Sequence, residues 1–115
     1  MRTDLSPRDL AVDLMSRSTC KVQMAAVISD RYGRIFSWGW NNGYVHAEEM
    51  AIKRANPKRL AGSKITIVGR RGKNGNSVYA CPCAEKCYPL IASKNIRYVD
   101  FRSNSGLYYT LSKDK

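Results

Sequence analysis

Acidic residues are scarce in this chain of 115 residues, which has nine Asp and Glu against twenty Lys and Arg and a formal net charge of +11. None lies between Met50 and Ala84, where eight basic residues occur: Lys53, Arg54, Lys58, Arg59, Lys64, Arg70, Arg71 and Lys73. Such a stretch attracts phosphate groups at long range, although a merely solubilising surface has the same composition. Two interpretations follow, a footprint for a nucleotide or polyanion and a solvated face.

Long apolar segments are also missing, because no run approaches the roughly 20 residues that a membrane-spanning helix needs. The N-terminal residues 1–4 mix charges and lead into a helical pattern, so no signal peptide is predicted. Internal repeats and linkers are absent as well. With 43% hydrophobic and 25% charged residues, the composition predicts one globular domain over residues 1–115, in the cytoplasm and without a membrane partner.

Cysteine and histidine are few and unevenly placed. The only histidine is His46, and three of the four cysteines, Cys81, Cys83 and Cys87, lie within seven residues. Cysteines so close in sequence do not form the disulfide bonds that cross-link distant parts of a small fold, and cytoplasmic thiols stay reduced. The cluster is better suited to binding a metal.

Periodicity and turn residues predict the element order αββαβαββ. Ser6 caps the first helix, Pro7 suits its first position, and the later elements are expected at 20–29, 35–40, 46–55, 64–69, 84–94, 96–101 and 107–111. A polar loop is expected over 70–76. This order is typical of an α/β layer fold in which helices pack on a mixed sheet.

Two motifs at predicted helix starts carry the chemistry, His46-Ala47-Glu48 and Pro82-Cys83 with Cys87. Catalytic zinc takes three protein ligands and leaves a position for water, and one histidine nitrogen with two thiolates meets that count. The four-residue spacing predicts that Cys83 and Cys87 share one helix face. Bound zinc lowers the pKa of its water molecule toward neutrality. A carboxylate beside the histidine can then carry protons from that water to a leaving amine, and Glu48 is in the position to do so.

Zinc-dependent deaminases share H-x-E followed by P-C-x-x-C, and the chain resembles a small member of the cytidine deaminase superfamily over residues 20–111. The resemblance implies a three-layer fold, a five-stranded mixed sheet with helices on its faces, and Zn²⁺ held between two helix starts. It implies His46, Cys83 and Cys87 as ligands and Glu48 as the catalytic group. Because three residues separate the cysteines here, Cys81 remains an alternative to Cys87.

The same resemblance points to residues that contact the substrate. Gly39-x-Asn41 is similar to a substrate-contacting segment, so Asn41 is expected to touch the sugar or base and the backbone of Ala47 to help read the base. Trp40 and Tyr44, which are close in sequence, are candidates for lining the pocket, although a tryptophan on a strand is more often a core or sheet-face residue. A basic groove edge is expected near the zinc from three residues, Arg70, Arg71 and Lys73.

The C-terminal end predicts a hairpin. Only 102–106 separate the last two strands, and parallel strands need a crossover of about a dozen residues, so these strands are expected to be antiparallel. Within the superfamily this arrangement resembles free-cytidine deaminases, blasticidin-type deaminases and several bacterial deaminase toxins. Transfer-RNA adenosine deaminases and vertebrate polynucleotide cytosine deaminases place a helix there, so cytosine is favoured over adenine.

The function predicted from these observations is zinc-dependent hydrolytic deamination of cytosine to uracil, with single-stranded DNA or RNA as the favoured substrate. The main alternative is a deaminase of free cytidine, deoxycytidine or their monophosphates. Adenine deamination is a further alternative, as is a non-catalytic zinc-stabilised nucleic-acid-binding module. A purely structural zinc site would use Cys20 or Cys81 as a fourth ligand. Nothing in the sequence indicates the oligomeric state.

Overall fold

The computed structural model describes residues 6–112, and residues 1–4, which carry the signal-peptide expectation, lie outside that range. Five strands form one sheet in the order β2-β1-β3-β4-β5. The elements are α1 Pro7–Leu14, β1 Val22–Ser29, β2 Ile35–Trp40, α2 Ala47–Arg54, α3 Pro57–Leu60, β3 Lys64–Arg71, α4 Cys87–Ser93, β4 Tyr98–Arg102 and β5 Tyr108–Ser112.

Strand directions make the sheet mixed. Strand β1 runs antiparallel to β2 and β3, β3 is parallel to β4, and β4 is antiparallel to β5. The parallel pair is joined by a crossover that contains α4, as parallel connections require. The last two strands are joined by a tight turn in which the Ser103 amide donates to the Leu107 carbonyl over 2.7 Å and Gly106 has φ +88°. The predicted α/β fold and C-terminal hairpin are confirmed.

The helices cover both faces of the sheet, because side chains alternate along the strands. In β1, Ala25 and Val27 pack with α1, whereas Ala26 and Ile28 face the cluster formed with α2 and α4. All four side chains are completely buried. The structure thus has the three layers that were predicted.

An ion pair between the half-exposed side chain of Arg8 and the buried carboxylate of Asp100 anchors α1 to β4. Arg8 donates through Nε and Nη2 to the two carboxylate oxygens of Asp100, each over 2.8 Å, and Thr110 Oγ1 donates to the same carboxylate over 3.0 Å. The predicted N-cap is also present, since the Asp9 amide donates to Ser6 Oγ over 3.1 Å.

Some element boundaries differ from those predicted. Helix α4 begins at Cys87, because residues 84–86 form a turn. Strand β3 continues through Arg71, where the predicted loop had already begun, because Arg70 pairs with Ser77 across the following turn. The short helix α3 was not predicted, although Asn56 caps it through a 3.0 Å bond from the Lys58 amide.

Over 6–112, every helix falls short of the length and apolarity that crossing a membrane demands.

Candidate metal centre and active site

The candidate site lies at one end of the sheet. Because β1 is antiparallel to both β2 and β3, and β4 is parallel to β3, the carboxyl ends of β2, β3 and β4 lie at the same end. The chain leaves β2 into the loop that carries His46, and it leaves β3 into the hairpin that leads to Cys83. The strand directions therefore bring together two motifs that are far apart in sequence.

His46, Cys83 and Cys87 form a cluster in which the three ligand atoms lie within 4.8 Å of one another. His46 Nδ1 is 3.1 Å from Cys87 Sγ. Tetrahedral zinc with bonds of roughly 2.0 Å to nitrogen and 2.3 Å to sulfur requires ligand atoms about 3.5 to 3.8 Å apart, so small side-chain rotations suffice. His46 and Cys83 are exposed and Cys87 is buried, which leaves one side of the cluster open.

Cys81 does not belong to this cluster within the described range 6–112. Its thiol instead contacts the hydroxyl of Tyr79, whose pKa it raises. The geometry thus selects Cys87 over Cys81. The donor set is one nitrogen and two sulfurs, without a fourth cysteine or histidine among those residues, which fits a catalytic zinc site better than a closed structural one.

A turn, and not a shared helix face, brings the two cysteines together. Cys83 precedes α4, where its Sγ accepts the Cys87 amide over 3.2 Å and its carbonyl accepts the Tyr88 amide over 2.9 Å. The prediction of a common helix face was wrong, because the backbone of Lys86 is not helical. These interactions have a chemical effect, since the Cys87 amide lowers the pKa of the Cys83 thiol and favours the thiolate that binds metal.

The buried thiol of Cys87 has the opposite tendency. Burial, and then the negative charge of Glu48, raise its pKa well above the usual range for a thiol. A buried thiolate beside a carboxylate is unfavourable unless a positive charge lies next to it, and a divalent cation held by these three ligands supplies that charge. The donor chemistry therefore fits zinc.

Glu48 lies in the first turn of α2, and only 5% of its surface is exposed. Burial raises the pKa of its carboxyl group, while hydrogen bonds from its own backbone amide and with Cys87 partly oppose the shift. Glu48 forms a hydrogen bond with Cys87 without belonging to the ligand cluster. A carboxyl group in this position can hold and release a proton beside the metal.

Glu49 ties the two motifs together. Its Oε1 accepts the His46 amide over 2.9 Å, which fixes the start of α2, and its Oε2 lies 3.4 Å from Lys86 Nζ. The sequence did not predict this contact between α2 and the turn before α4, because Glu49 and Lys86 are far apart in the chain.

Gly39 allows α2 to lie directly on β2. A Cβ at this position would be 2.6 Å from the Ala51 amide nitrogen, 2.7 Å from Met50 Cβ and 2.9 Å from the Ala47 carbonyl oxygen. Next to it, Ser37 Oγ donates to the Ala51 carbonyl over 2.6 Å. The helix that carries Glu48 is thus positioned by close backbone packing. The sequence had placed Gly39 in a substrate-contacting segment and did not predict this packing role.

Asn41 connects β2 to the start of β1. Its Oδ1 accepts from Ser18 Oγ over 2.6 Å and from the Met24 amide over 2.9 Å, and its Nδ2 donates to the Val22 carbonyl over 2.8 Å. The side chain therefore has a structural role at the active-site end of the sheet. Contact between Asn41 and the substrate stays a prediction.

The other predicted pocket residues occupy different surroundings. Trp40 packs against the hydrophobic cluster that α1 forms with β1 and β3. This cluster lies on the face of the sheet opposite α2, so the ring of Trp40 is not brought to the metal cluster. Tyr44 is 94% exposed in the loop before His46, and Ala47 is buried at the first position of α2. Substrate contact by these residues remains a prediction.

The three predicted basic residues lie at the same end of the sheet as the metal cluster. Arg70 is half-buried and donates through Nε to Gln23 Oε1 over 2.8 Å. Arg71 and Lys73 are exposed on a turn closed by a 2.9 Å bond from the Arg71 amide to the Asn76 carbonyl. Lys21, which was not predicted, lines a cleft of about 530 Å³ with Arg71 and Lys73. Lys21 is close to Arg71 because β1 and β3 are paired, which the sequence alone does not show.

The fold and the site together define a three-layer α/β metalloprotein whose ligand set leaves a coordination position open. Residues 1–102 match the family model described as the cytidine and deoxycytidylate deaminase zinc-binding region. The match spans most of the chain and includes both motifs, so the chain belongs to this family of zinc-dependent deaminases. His46, Cys83 and Cys87 are placed where they could hold its zinc. A search of curated proteins finds no match.

Proposed function

We propose that this chain converts cytosine to uracil by hydrolytic deamination and that its substrate is cytosine in a single-stranded nucleic acid. The main support is that the open metal cluster and a basic turn lie at the same end of the sheet. Enzymes that act on a base in a polymer need it unpaired, and a basic surface that follows the backbone is a usual means of binding it.

In the proposed reaction, His46, Cys83 and Cys87 would hold zinc, which would lower the pKa of a water molecule toward neutrality. Glu48 accepts a proton from this water at a carboxylate oxygen and transfers it to N3 of the cytosine ring. As the C4–O bond forms, Glu48 accepts the remaining proton of the new C4 hydroxyl group. It transfers this proton to the exocyclic amine, so that the bond from C4 to that nitrogen breaks, ammonia leaves and the C4 carbonyl of uracil forms. The raised pKa of Glu48 suits a group that must hold a proton between two transfers.

Backbone and amide groups near Glu48 orient the base in this proposal. The backbone of Ala47 and the start of α4 contact the exocyclic group. Asn41 Nδ2 uses one hydrogen to bind the Val22 carbonyl, which leaves the second for the sugar or base.

The basic residues contact phosphates. Lys21, Arg71 and Lys73 line one cleft, and no acidic residue lies among those that line it. Each phosphate contact to a single strand lowers the slope of log K against log[salt] by about 0.7. Replacing all three by glutamine is therefore expected to make binding much less dependent on salt.

The antiparallel β4–β5 hairpin favours a second candidate, a deaminase of free cytidine or its nucleotides, because this arrangement resembles that of free-cytidine deaminases. A small substrate would not need the basic cleft, although a monophosphate would benefit from it.

A parallel assay separates the candidates. Zinc-loaded protein receives cytidine, deoxycytidine, their monophosphates or a cytosine-containing single-stranded oligonucleotide, with Glu48→Ala as control. Uracil formed only in the oligonucleotide, and less at high salt, supports the proposal. Turnover confined to the small substrates contradicts it and supports the second candidate. Absence of uracil in every zinc-loaded sample rejects both and turns attention to adenine or to a binding module.

A further inference from the structure

A second cleft lies next to the basic one, between the turn after β3 and the β4–β5 turn. Its volume is about 750 Å³, and the residues that line it include Arg71, Asn76, Tyr79 and Asn104 but no Asp or Glu. Arg71 also lines the cleft that contains Lys21 and Lys73, so the two clefts share one basic residue.

Tyr79 presents an aromatic ring in this cleft. The ring is 63% exposed, yet it packs nearly perpendicular to the buried ring of Phe101, with centroids 5.4 Å apart and an interplanar angle of 81°. The contact holds the ring in place and leaves most of its surface open. A ring held in this way stacks on a base with little further loss of side-chain freedom.

The cleft lies close to the metal cluster. Tyr79 is four residues before Cys83, and four residues of extended chain span at most about 14 Å. The intervening segment is held against β4 by a 3.0 Å bond from the Ala80 amide to the Arg102 carbonyl. A nucleotide in this cleft would therefore be near a cytosine bound at the metal.

We propose that this cleft binds a nucleotide flanking the target cytosine, with Tyr79 stacked on its base and Arg71 paired with its phosphate. The inference rests on the proposed function and deepens it by locating the neighbouring nucleotide. Asn76 and Asn104 lie on opposite walls, where their amides can donate to and accept from the edge of the base.

Binding is measured with a fluorescent single-stranded oligonucleotide and protein carrying Glu48→Ala, so that the substrate is not consumed. Stacking of one base makes Tyr79→Ala bind about 5- to 160-fold more weakly, whereas Tyr79→Phe retains the affinity. Tyr32→Ala is the matched control, because Tyr32 is 75% exposed in the β1–β2 turn at the opposite end of the sheet, and it should have no effect.

Abasic oligonucleotides show whether the effect belongs to a flanking base. Removing the base that Tyr79 contacts should weaken binding to Glu48→Ala alone, but not weaken it further when Tyr79→Ala is also present. An equal penalty in both proteins at each flanking position overturns the inference. If Tyr79→Ala does not fold, Arg71→Gln provides the test, since the proposal requires a smaller salt slope and an unchanged slope contradicts it.

The failure of this inference differs from failure of the proposed function. If protein with Glu48 intact deaminates the oligonucleotide but Tyr79→Ala binds like Tyr32→Ala, the cleft assignment is wrong and the substrate class stands. If the oligonucleotide is not deaminated at all, the proposed function fails and this inference fails with it.

Discussion

Gly39→Ala is expected to displace the helix that carries Glu48. The added Cβ would lie 2.6 Å from a backbone nitrogen and 2.9 Å from a backbone oxygen of α2, distances that real Cβ atoms do not tolerate. These atoms are not at the ends of flexible side chains, so the helix itself has to move. The variant therefore tests whether close packing of α2 on β2 positions the catalytic group.

The size of the effect follows from overpacking, which costs roughly 1 to 3 kcal/mol in a well-packed core. For a domain of this length, that corresponds to a fall in melting temperature of about 4 to 15 °C. Activity should fall by a larger factor than stability alone explains. Even at a temperature where the variant is folded, a small misplacement of a catalytic group can reduce the rate about 100-fold.

The assay combines thermal unfolding, zinc content and deaminase activity at a temperature well below the transition. Gly43→Ala is the control, because nothing lies within 4 Å of a Cβ at that position in the loop before His46. If Gly39→Ala melts and reacts like Gly43→Ala, the close packing of α2 on β2 does not position the site.

Further predictions concern the proton carrier, the ligands and the ion pair between Arg8 and Asp100. Glu48→Gln should lose about 10²- to 10⁴-fold in kcat while retaining zinc, and full turnover would exclude it as the proton carrier. Cys87→Ser should lose stoichiometric zinc by metal analysis and Cys81→Ser should keep it, whereas the reverse result would make Cys81 the ligand. Burial raises the pKa of Asp100, but its bonds from Arg8 outweigh that effect and the net pKa is lowered. The carboxylate therefore stabilises the fold above about pH 4, and this contribution is lost as the pH falls through the lowered pKa. Melting temperatures from pH 6 to 3 should fall less steeply in Asp100→Asn, and equal slopes would contradict this account.

Local sequence was sufficient for several features because their causes are local. Ser6 caps α1 with its own side chain, and the short segment between β4 and β5 leaves no room for a parallel crossover. The ability of a side chain to bind zinc also depends on its own chemistry, since histidine and cysteine are good zinc ligands wherever the chain places them. His46 and Glu48 were recognisable from their types and spacing, and the structure brings His46, Cys83 and Cys87 close enough together to hold a metal ion.

Tertiary structure decided the features that depend on distant parts of the chain. The turn before α4 brings Cys87 to His46, and Cys81, close to both cysteines in sequence, contacts Tyr79 instead. Asn41 is held by backbone groups of β1, which a local pattern does not reveal.

The same dependence on strand pairing explains the surroundings of the site. Trp40 packs with α1 because Gly39 and Ser37 already occupy the alternate face of β2, against α2. Lys21 meets Arg71 only because β1 and β3 are antiparallel neighbours. Residue types and spacing thus determined which chemistry the chain can perform, whereas strand order and direction determined which side chains surround it, because those contacts join residues that are remote in sequence.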